Sequence, residues 1–413
     1  MKVLHISYSK DRGGAAKACL RLHRALLKNN VNSQIITALR PKTKGEKVES
    51  YCKSDISQII RKTKKIINLL TVMIFQKTDN QELHTFDFGN IISPDFINNS
   101  DADIVHLHWV NYSMLGIKTI KKIKKPMIWT FHDMWAFMGC EHLDNLNSPE
   151  RYIEGYNKKN KNVKGIDINK IAWKAKKKHW KDVKFNIVTP SKWLKKCTEN
   201  SYLFKDANIF NIPNVIAEDK FYNKKKADAR KNLMLAADKN YILFGAFNAK
   251  NHNKGGDLLY EALKNVKLEN TELVIFGASS SDEKYNIPTK YMGYIRDEGK
   301  LNDLYNAADV FVVPSRQDNL PNTVLESICC GTPVVGFNIG GLPDMIVHKH
   351  NGYLSQPFDT NDLRAGIEFI LRNKNNIDFT KNSIKHFKSK FSEEVVIPQF
   401  LALYDKVACK KTR

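Results

Sequence analysis

The stretch Pro314-Ser315-Arg316-Gln317-Asp318-Asn319-Leu320-Pro321-Asn322-Thr323-Val324-Leu325-Glu326-Ser327 decides how this chain is read. It follows Val310-Phe311-Val312-Val313, an apolar run with the length and β-branching of a buried strand. It leads into Ile328-Cys329-Cys330-Gly331-Thr332-Pro333, which reads as a helix closing at a glycine. In an open α/β sheet such a junction lies at the carboxyl edge of the strands, where ligands bind. A helix beginning near Asn322 aims its free N–H groups at that edge, which suits a phosphate. Asp318 and Glu326 bracket the junction with seven residues between them. Two carboxylates flanking a phosphate site can grip hydroxyl groups on either side of it, and a sugar nucleotide has that layout.

The same alternation of strands and helical stripes runs outward through the chain. Residues 3–8, 31–38, 104–109, 127–131 and 186–189 read as strands of a first half. Residues 241–245, 273–277, 291–294, 310–313 and 334–336 read as strands of a second. Strands alternating with helices predict an α/β fold with parallel, doubly wound sheets. Residues 213–238 are charged and lack apolar periodicity, which places a boundary near residue 220. Two domains, 1–219 and 220–390, fit a length of 413 residues.

Composition is globular, with 42% hydrophobic and 26% charged residues. The seven cysteines form no C-x-x-C pair, which predicts a reduced, cytoplasmic protein. Met1-Lys2-Val3-Leu4-His5-Ile6 reads as a strand and not as a signal peptide, and no apolar run is long enough to span a membrane. The net charge of +23 is uneven: residues 1–215 hold 38 Lys+Arg against 19 Asp+Glu, and the remainder 28 against 24. Three stretches carry the excess: residues 61–65 beside an apolar run to Phe75, residues 118–125, and residues 157–184 with eleven lysines around Trp173 and Trp180. They predict peripheral attachment to an anionic membrane surface, with Trp, Leu and Phe dipping below the headgroups. A solvated lysine-rich face is the alternative. No nucleic-acid partner is expected, because no known binding motif surrounds the charge.

Other residues at strand ends are candidates for chemistry. Gly13-Gly14 follows the first strand and opens a helix, so its backbone can approach a diphosphate or simply turn. It is not the G-x-G-x-x-G fingerprint, so a dinucleotide cofactor is not expected. His132, in Thr130-Phe131-His132-Asp133, can donate or accept a hydrogen bond at a strand end, or be satisfied by backbone. Asp133 can cap the next element. Lys254, before Gly255-Gly256, can neutralise a leaving diphosphate. Asp101-x-Asp103 precedes its strand, and His106-x-His108 has no third ligand at local spacing, so no metal site is expected.

Glu326 with Gly331-Thr332-Pro333-Val334-Val335 resembles the E-x7-E signature of the retaining glycosyltransferases of GT-B fold, the glycosyl transferases group 1 family. Asp318 stands where that signature usually has its first Glu, and Asn319 and Pro321 replace two glycines. Pro321 offers no N–H. The family's phosphate-binding Arg has no counterpart: Ala246 or Phe247 stands there, and Lys250 is the nearest substitute.

The resemblance implies two Rossmann-like domains facing a central cleft, with a final helix, about 391–413, packing back on the first. It implies a metal-independent, cofactor-free transfer of a sugar from a nucleotide sugar, UDP-sugar favoured, to a glycan or lipid-linked acceptor in bacterial surface polysaccharide synthesis. Glu326 would hold the ribose and Asp318 a hydroxyl of the transferred sugar. Lys254 with the helix start at Asn322 and Thr323 would stabilise the departing phosphate, and Asn319 and Leu320 belong to the same donor loop. Gly13 and Gly14 would close over the diphosphate, and His132 would reach the donor sugar or the acceptor hydroxyl. Tyr294 and Ile295 would hold the base, or form a plain strand end. The Gly340-to-Asp344 loop resembles a family loop near the sugar. A sugar-nucleotide epimerase of the same fold and, further off, a basic nucleic-acid binder are the alternatives.

Overall fold

A computed structural model describes residues 1–41, 45–76, 78, 80, 82–144, 151–245, 251–280 and 285–409. It divides into two units, Met1–Pro213 with Ile397–Arg413, and Asn214–Val396.

The first unit is built on seven strands: β1 (Lys2–Ser7), β2 (Asn32–Thr37), β3 (Val48–Ser50), β4 (Ile104–Leu107), β5 (Met127–Thr130), β6 (Asn186–Thr189) and β7 (Asn208–Asn211). All pair in parallel, in the order β3-β2-β1-β4-β5-β6-β7. The second unit has six: β8 (Asn240–Gly245), β9 (Thr271–Phe276), β10 (Thr289–Tyr291), β11 (Val310–Val313), β12 (Val334–Phe337) and β13 (Gly352–Ser355). These too are parallel, in the order β10-β9-β8-β11-β12-β13. Strand order reverses between β1 and β4 in one sheet and between β8 and β11 in the other. Those are the switch points at which an open parallel sheet offers a crevice.

The strands flanking the second switch point are continuous apolar runs because helices cover both faces of the sheet. Every residue of β11 is buried, and Val312 pairs with Phe244 of β8. The Asn322–Cys329 helix returns from the end of β11 and buries Val324, Leu325 and Ile328 on the sheet.

Three expectations need correction. The strand expected at 291–294 lies at Thr289–Tyr291, where it pairs with β9; Gly293, with φ +64°, then turns the chain away. The segment 213–238, read as charged, without apolar periodicity and holding the domain boundary, contains a Lys226–Asn232 helix. It is anchored by an ion pair and not by an apolar stripe: buried Arg230 bonds Asp309 at 2.9 Å. Burial raises the Asp309 carboxyl, but Lys226, the Tyr241 N–H and Arg230 outweigh it and hold it below its usual range.

The third correction concerns the tryptophans expected to dip into a membrane. Trp173 and Trp180 are 4% and 5% exposed. They lie on the inward stripe of the Ile168–Trp180 helix, and the Trp180 indole donates to Ile117 O at 2.8 Å. Between them Lys176 is wholly buried over the Trp135 ring, donating to the carbonyls of Trp135, Met138 and Gly139. Burial lowers that ammonium to about 7. No helix among the described residues is long and apolar enough to cross a membrane.

Candidate active site

In the second unit, chain crossing at the switch point brings together residues 64 apart in sequence. A one-turn 3-10 helix, His252–Lys254, precedes Gly255, which adopts φ +69° and ψ 31°. A Cβ on Gly255 would lie 1.9 Å from Pro314 O, so only glycine lets this turn lie against the end of β11. Asn253 then locks the turn to the loop: its Nδ2 donates to Gln317 O at 2.6 Å, and its Oδ1 accepts from Gln317 N at 3.1 Å. Arg316 forks onto Asp257 at 2.9 and 2.6 Å. The result places Lys254 Nζ 2.5 Å from Asp318 Oδ2, with both side chains largely covered.

Asp318 is also fixed from the other side. Gly341 N donates to Asp318 O at 3.0 Å, and a Cβ on Gly340 would meet that oxygen at 2.2 Å. The Gly340–Asp344 loop is therefore the backbone support of Asp318. Lys254, Asp318 and Thr323 line one recess with Gly245, Ser315 and Pro321. Thr323 and Asn322 open the Asn322–Cys329 helix, whose N-cap is Pro321 and which has no side-chain cap. The positive end of that helix thus faces the recess through Thr323, beside the Lys254 ammonium.

Glu326 lies one turn further into that helix and is 3% exposed. Its Oε2 accepts from the buried Tyr305 hydroxyl at 2.9 Å. The Asn322 side chain accepts from Asn214 Nδ2 at 3.0 Å. Asn319 and Leu320 are buried in the loop, and Leu320 packs in the core, so it can serve a ligand only through its backbone. Tyr294 is exposed after β10, with Ile295 half-buried against the core. Ala246, Phe247 and Lys250 lie outside the described residues.

In the first unit Gly13, with φ +93°, caps the Gly14–Lys28 helix after β1. His132 follows β5, and its Nε2 lies 3.2 Å from His108 Nδ1. His108 Nε2 in turn lies 3.1 Å from His5 Nδ1, so three imidazoles form a file from the strand end into the sheet. Desolvation holds His132 at about 4, and desolvation with the neighbouring imidazoles holds His108 and His5 well below the usual histidine range. The file is therefore neutral near pH 7. The neighbouring carboxylate behaves oppositely: burial raises Asp133, but the His142 ring at 2.7 Å and the Trp135 and Trp109 N–H groups hold it low. Asp133 thus organises a buried network instead of capping a helix.

The residues expected in the donor set fall into groups. Lys254, Asp318 and Thr323 share the recess, with Asn322 at the same helix start. Glu326 is held behind it by Tyr305, and Tyr294 and Ile295 do not line the recess. Sequence reasoning did not find the Asn253–Gln317 lock, the Arg316–Asp257 fork, or His5 and His108 behind His132. The histidines had a signal: His5 lies on β1 and His108 directly follows β4, the adjacent strand at the first switch point. His5, Cys19 and His108 bring ligand-type atoms within 4.8 Å of one another, although burial pushes the Cys19 thiol up. Asp101 and Asp103 bind Lys2, the first through its ammonium and the second through its backbone N–H.

A family model described as Glycosyltransferase Family 4 matches residues 12–220, and one described as Glycosyl transferases group 1 matches residues 225–386. An uncharacterized glycosyltransferase of Methanocaldococcus jannaschii is 26% identical over 245 residues, covering 53% of this chain and 59% of that protein. The N,N'-diacetylbacillosaminyl-diphospho-undecaprenol alpha-1,3-N-acetylgalactosaminyltransferase of Campylobacter jejuni is 25% identical over 189 residues, 45% of this chain and 49% of that protein. The chain spans less than two thirds of the length of the first curated relatives it matches. Among solved structures, sucrose-phosphate synthase from Thermosynechococcus elongatus superposes with a TM-score of 0.70 at 18% identity, covering 99% of both chains. Anabaena HepE in complex with UDP-glucose gives a TM-score of 0.63 at 13% identity, covering 98% of this chain and 100% of that one. At these identities the structures establish the fold, which is GT-B.

Proposed function

We propose a reaction from one premise: this chain belongs to the glycosyltransferases, its first half to glycosyltransferase family 4 and its second to glycosyl transferases group 1. The reaction is the transfer of a sugar, with retention, from a UDP-sugar to a lipid-linked glycan acceptor at the inner face of the cytoplasmic membrane, in surface polysaccharide synthesis. The observation that carries it is the Lys254–Asp318 pair beside the start of the Asn322–Cys329 helix, which has no side-chain cap. An ammonium and a helix N-terminus converging on one recess are what a departing diphosphate needs. The reading assigns that role to them and no role to a metal.

Asp318 takes a hydroxyl of the transferred sugar as Lys254 turns to the phosphate. Glu326, preset by Tyr305, takes the ribose hydroxyls. His132, neutral and backed by His108, reaches the donor sugar or the acceptor. Gly13 and Gly14 meet the diphosphate through their backbone, and the turn at Tyr294 and Ile295 meets the base. The resemblance to the retaining family implies that the acceptor attacks from the face the phosphate leaves, and that the phosphate receives its proton. The Campylobacter relative, named for an undecaprenol-linked acceptor, and the UDP-glucose complex of HepE support the choice of acceptor and donor class.

The test is labelled-sugar transfer from a panel of UDP-sugars to a polyprenyl-diphosphate-linked glycan in detergent, with product configuration read by NMR. A retained anomeric configuration is expected. An inverted product overturns the mechanism, and no transfer from any UDP-sugar overturns the donor.

A further inference from the structure

The Asp55–Phe75 helix is amphipathic in the inverted sense. A surface helix of a globular unit turns its apolar stripe to the core and its polar face to water. Here the side against the first unit is mainly polar, with Val72 packing beside the polar residues. Arg61, 6% exposed, donates to the Tyr8 hydroxyl at 3.0 Å and to Gln58 Oε1 at 2.9 Å. Asn68, 3% exposed, donates to Asp87 at 3.0 Å and accepts from Phe86 N at 3.3 Å. Gln58 reaches the Cys52 carbonyl at 2.8 Å.

The opposite face carries Ile56, Ile59, Ile67, Leu70, Met73 and Ile74, which are 44–71% exposed. At 100° per residue these positions fall on one stripe along the whole helix. Hydrogen bonds therefore hold the helix in an orientation that gives its apolar side to solvent, and such a face marks a partner.

We infer that this helix is the element that docks the enzyme on an anionic lipid surface, lying in the headgroup plane with its apolar stripe buried. The assignment rests on the membrane-side reading given above. Charge identifies the occupant. The helix carries four basic residues, Arg61, Lys62, Lys64 and Lys65, against one acid, Asp55. It belongs to the half of the chain that holds most of the excess positive charge. Lys62 and Lys64 flank the stripe, Lys64 bonding Asn90 O at 2.5 Å, while Lys65 lies on the inner side over the Tyr112 ring at 4.5 Å. Apolar residues flanked by lysines are the signature of an interfacial helix. A second copy fits less well: two such helices packed antiparallel about a two-fold axis bring their central lysines together. A helix with this much charge lies on a bilayer and does not cross it.

The test is co-sedimentation of the full chain with phosphatidylcholine vesicles, with and without phosphatidylglycerol. Binding to the anionic vesicles is expected to fall about ten- to hundredfold in the double variant Ile67→Ser, Leu70→Ser. It is expected to fall roughly fivefold in Lys62→Gln. Because these side chains are exposed, the melting temperature stays that of the parent chain, which separates docking from misfolding. The double variant should still be stabilised by a UDP-sugar, which separates this inference from the catalytic reading. Anionic-vesicle binding unchanged in the double variant overturns the helix while leaving a membrane-side enzyme standing. No vesicle binding, with a dimer in sedimentation that the double variant abolishes, overturns it in favour of a second copy.

Discussion

Replacing Lys254 with methionine keeps the stem and deletes the ammonium, and the structure separates the two consequences. The Lys254–Asp318 pair is 31% and 17% exposed, a part-buried pair in a loop open on one side. Its loss costs about 1 kcal/mol of stability, or roughly 2–4 °C in melting temperature. The loop itself stays in place, because Asn253 still holds Gln317 at 2.6 and 3.1 Å and Gly341 still holds Asp318 O at 3.0 Å. Catalysis loses more. A preorganised cation at a developing phosphate charge contributes roughly 10²–10³ in kcat, about 3–4 kcal/mol. Lys254→Met should therefore fold normally and turn over about a hundred- to a thousandfold more slowly. Initial rates at saturating UDP-sugar, with melting curves on the same samples, give both numbers. Asp318→Asn removes the same pair from its other end, so the double variant should lose less than the sum of the singles. A kcat for Lys254→Met within about threefold of the parent enzyme would refute the assignment of Lys254 to the leaving group.

Gly255→Ala should cost about 3 kcal/mol or more, because its Cβ would sit 1.9 Å from Pro314 O at φ +69° and neither backbone can yield; a melting temperature equal to that of the parent contradicts the geometry. Stability of the first unit should fall on mild acidification. His106 is fully buried and held at about 3, below its unfolded value of about 6.5, so its contribution is complete above about pH 6.5 and is lost as pH falls towards its folded value. The slope is about 1 kcal/mol per pH unit in that window, and urea unfolding along a pH series reads it. The same slope in His106→Gln would assign the effect to the other buried histidines, His5 and His108, which burial also lowers.

The parts legible in the sequence were those whose environment is uniform. β11 and the Asn322–Cys329 helix fall where the spacing of apolar residues puts them, because a strand buried on both faces is a continuous apolar run. The strands missed or displaced, β3, β7, β10 and β13, are the edges of their sheets. An edge strand buries less and reads more weakly; Asn208–Asn211 has no fully buried residue.

The site was legible as separate candidates and not as an arrangement. Lys254 and Asp318 are each visible, but their pairing needs the crossover between β8 and β11. The support of Asp318 by Gly340 is a backbone contact that no side-chain pattern reports. The stretch around Trp173 and Trp180 was misjudged for a related reason. Periodicity reveals that residues 55–75 have an apolar side and that Trp173 and Trp180 share one. It does not reveal that the first is turned outward by Arg61 and Asn68 and the second inward.

The central claim is that the recess at Lys254 and Asp318 belongs to a sugar-nucleotide site completed by Glu326. The most direct measurement is the melting temperature of the full chain against UDP-, GDP-, ADP- and TDP-sugars, for the parent and for Glu326→Ala. A ligand at a hundred times its Kd stabilises the folded state by about 2.7 kcal/mol. A clear upward shift with a UDP-sugar, lost in Glu326→Ala, is the predicted result. No shift with any of the four, or a shift that survives the loss of Glu326, would contradict the account.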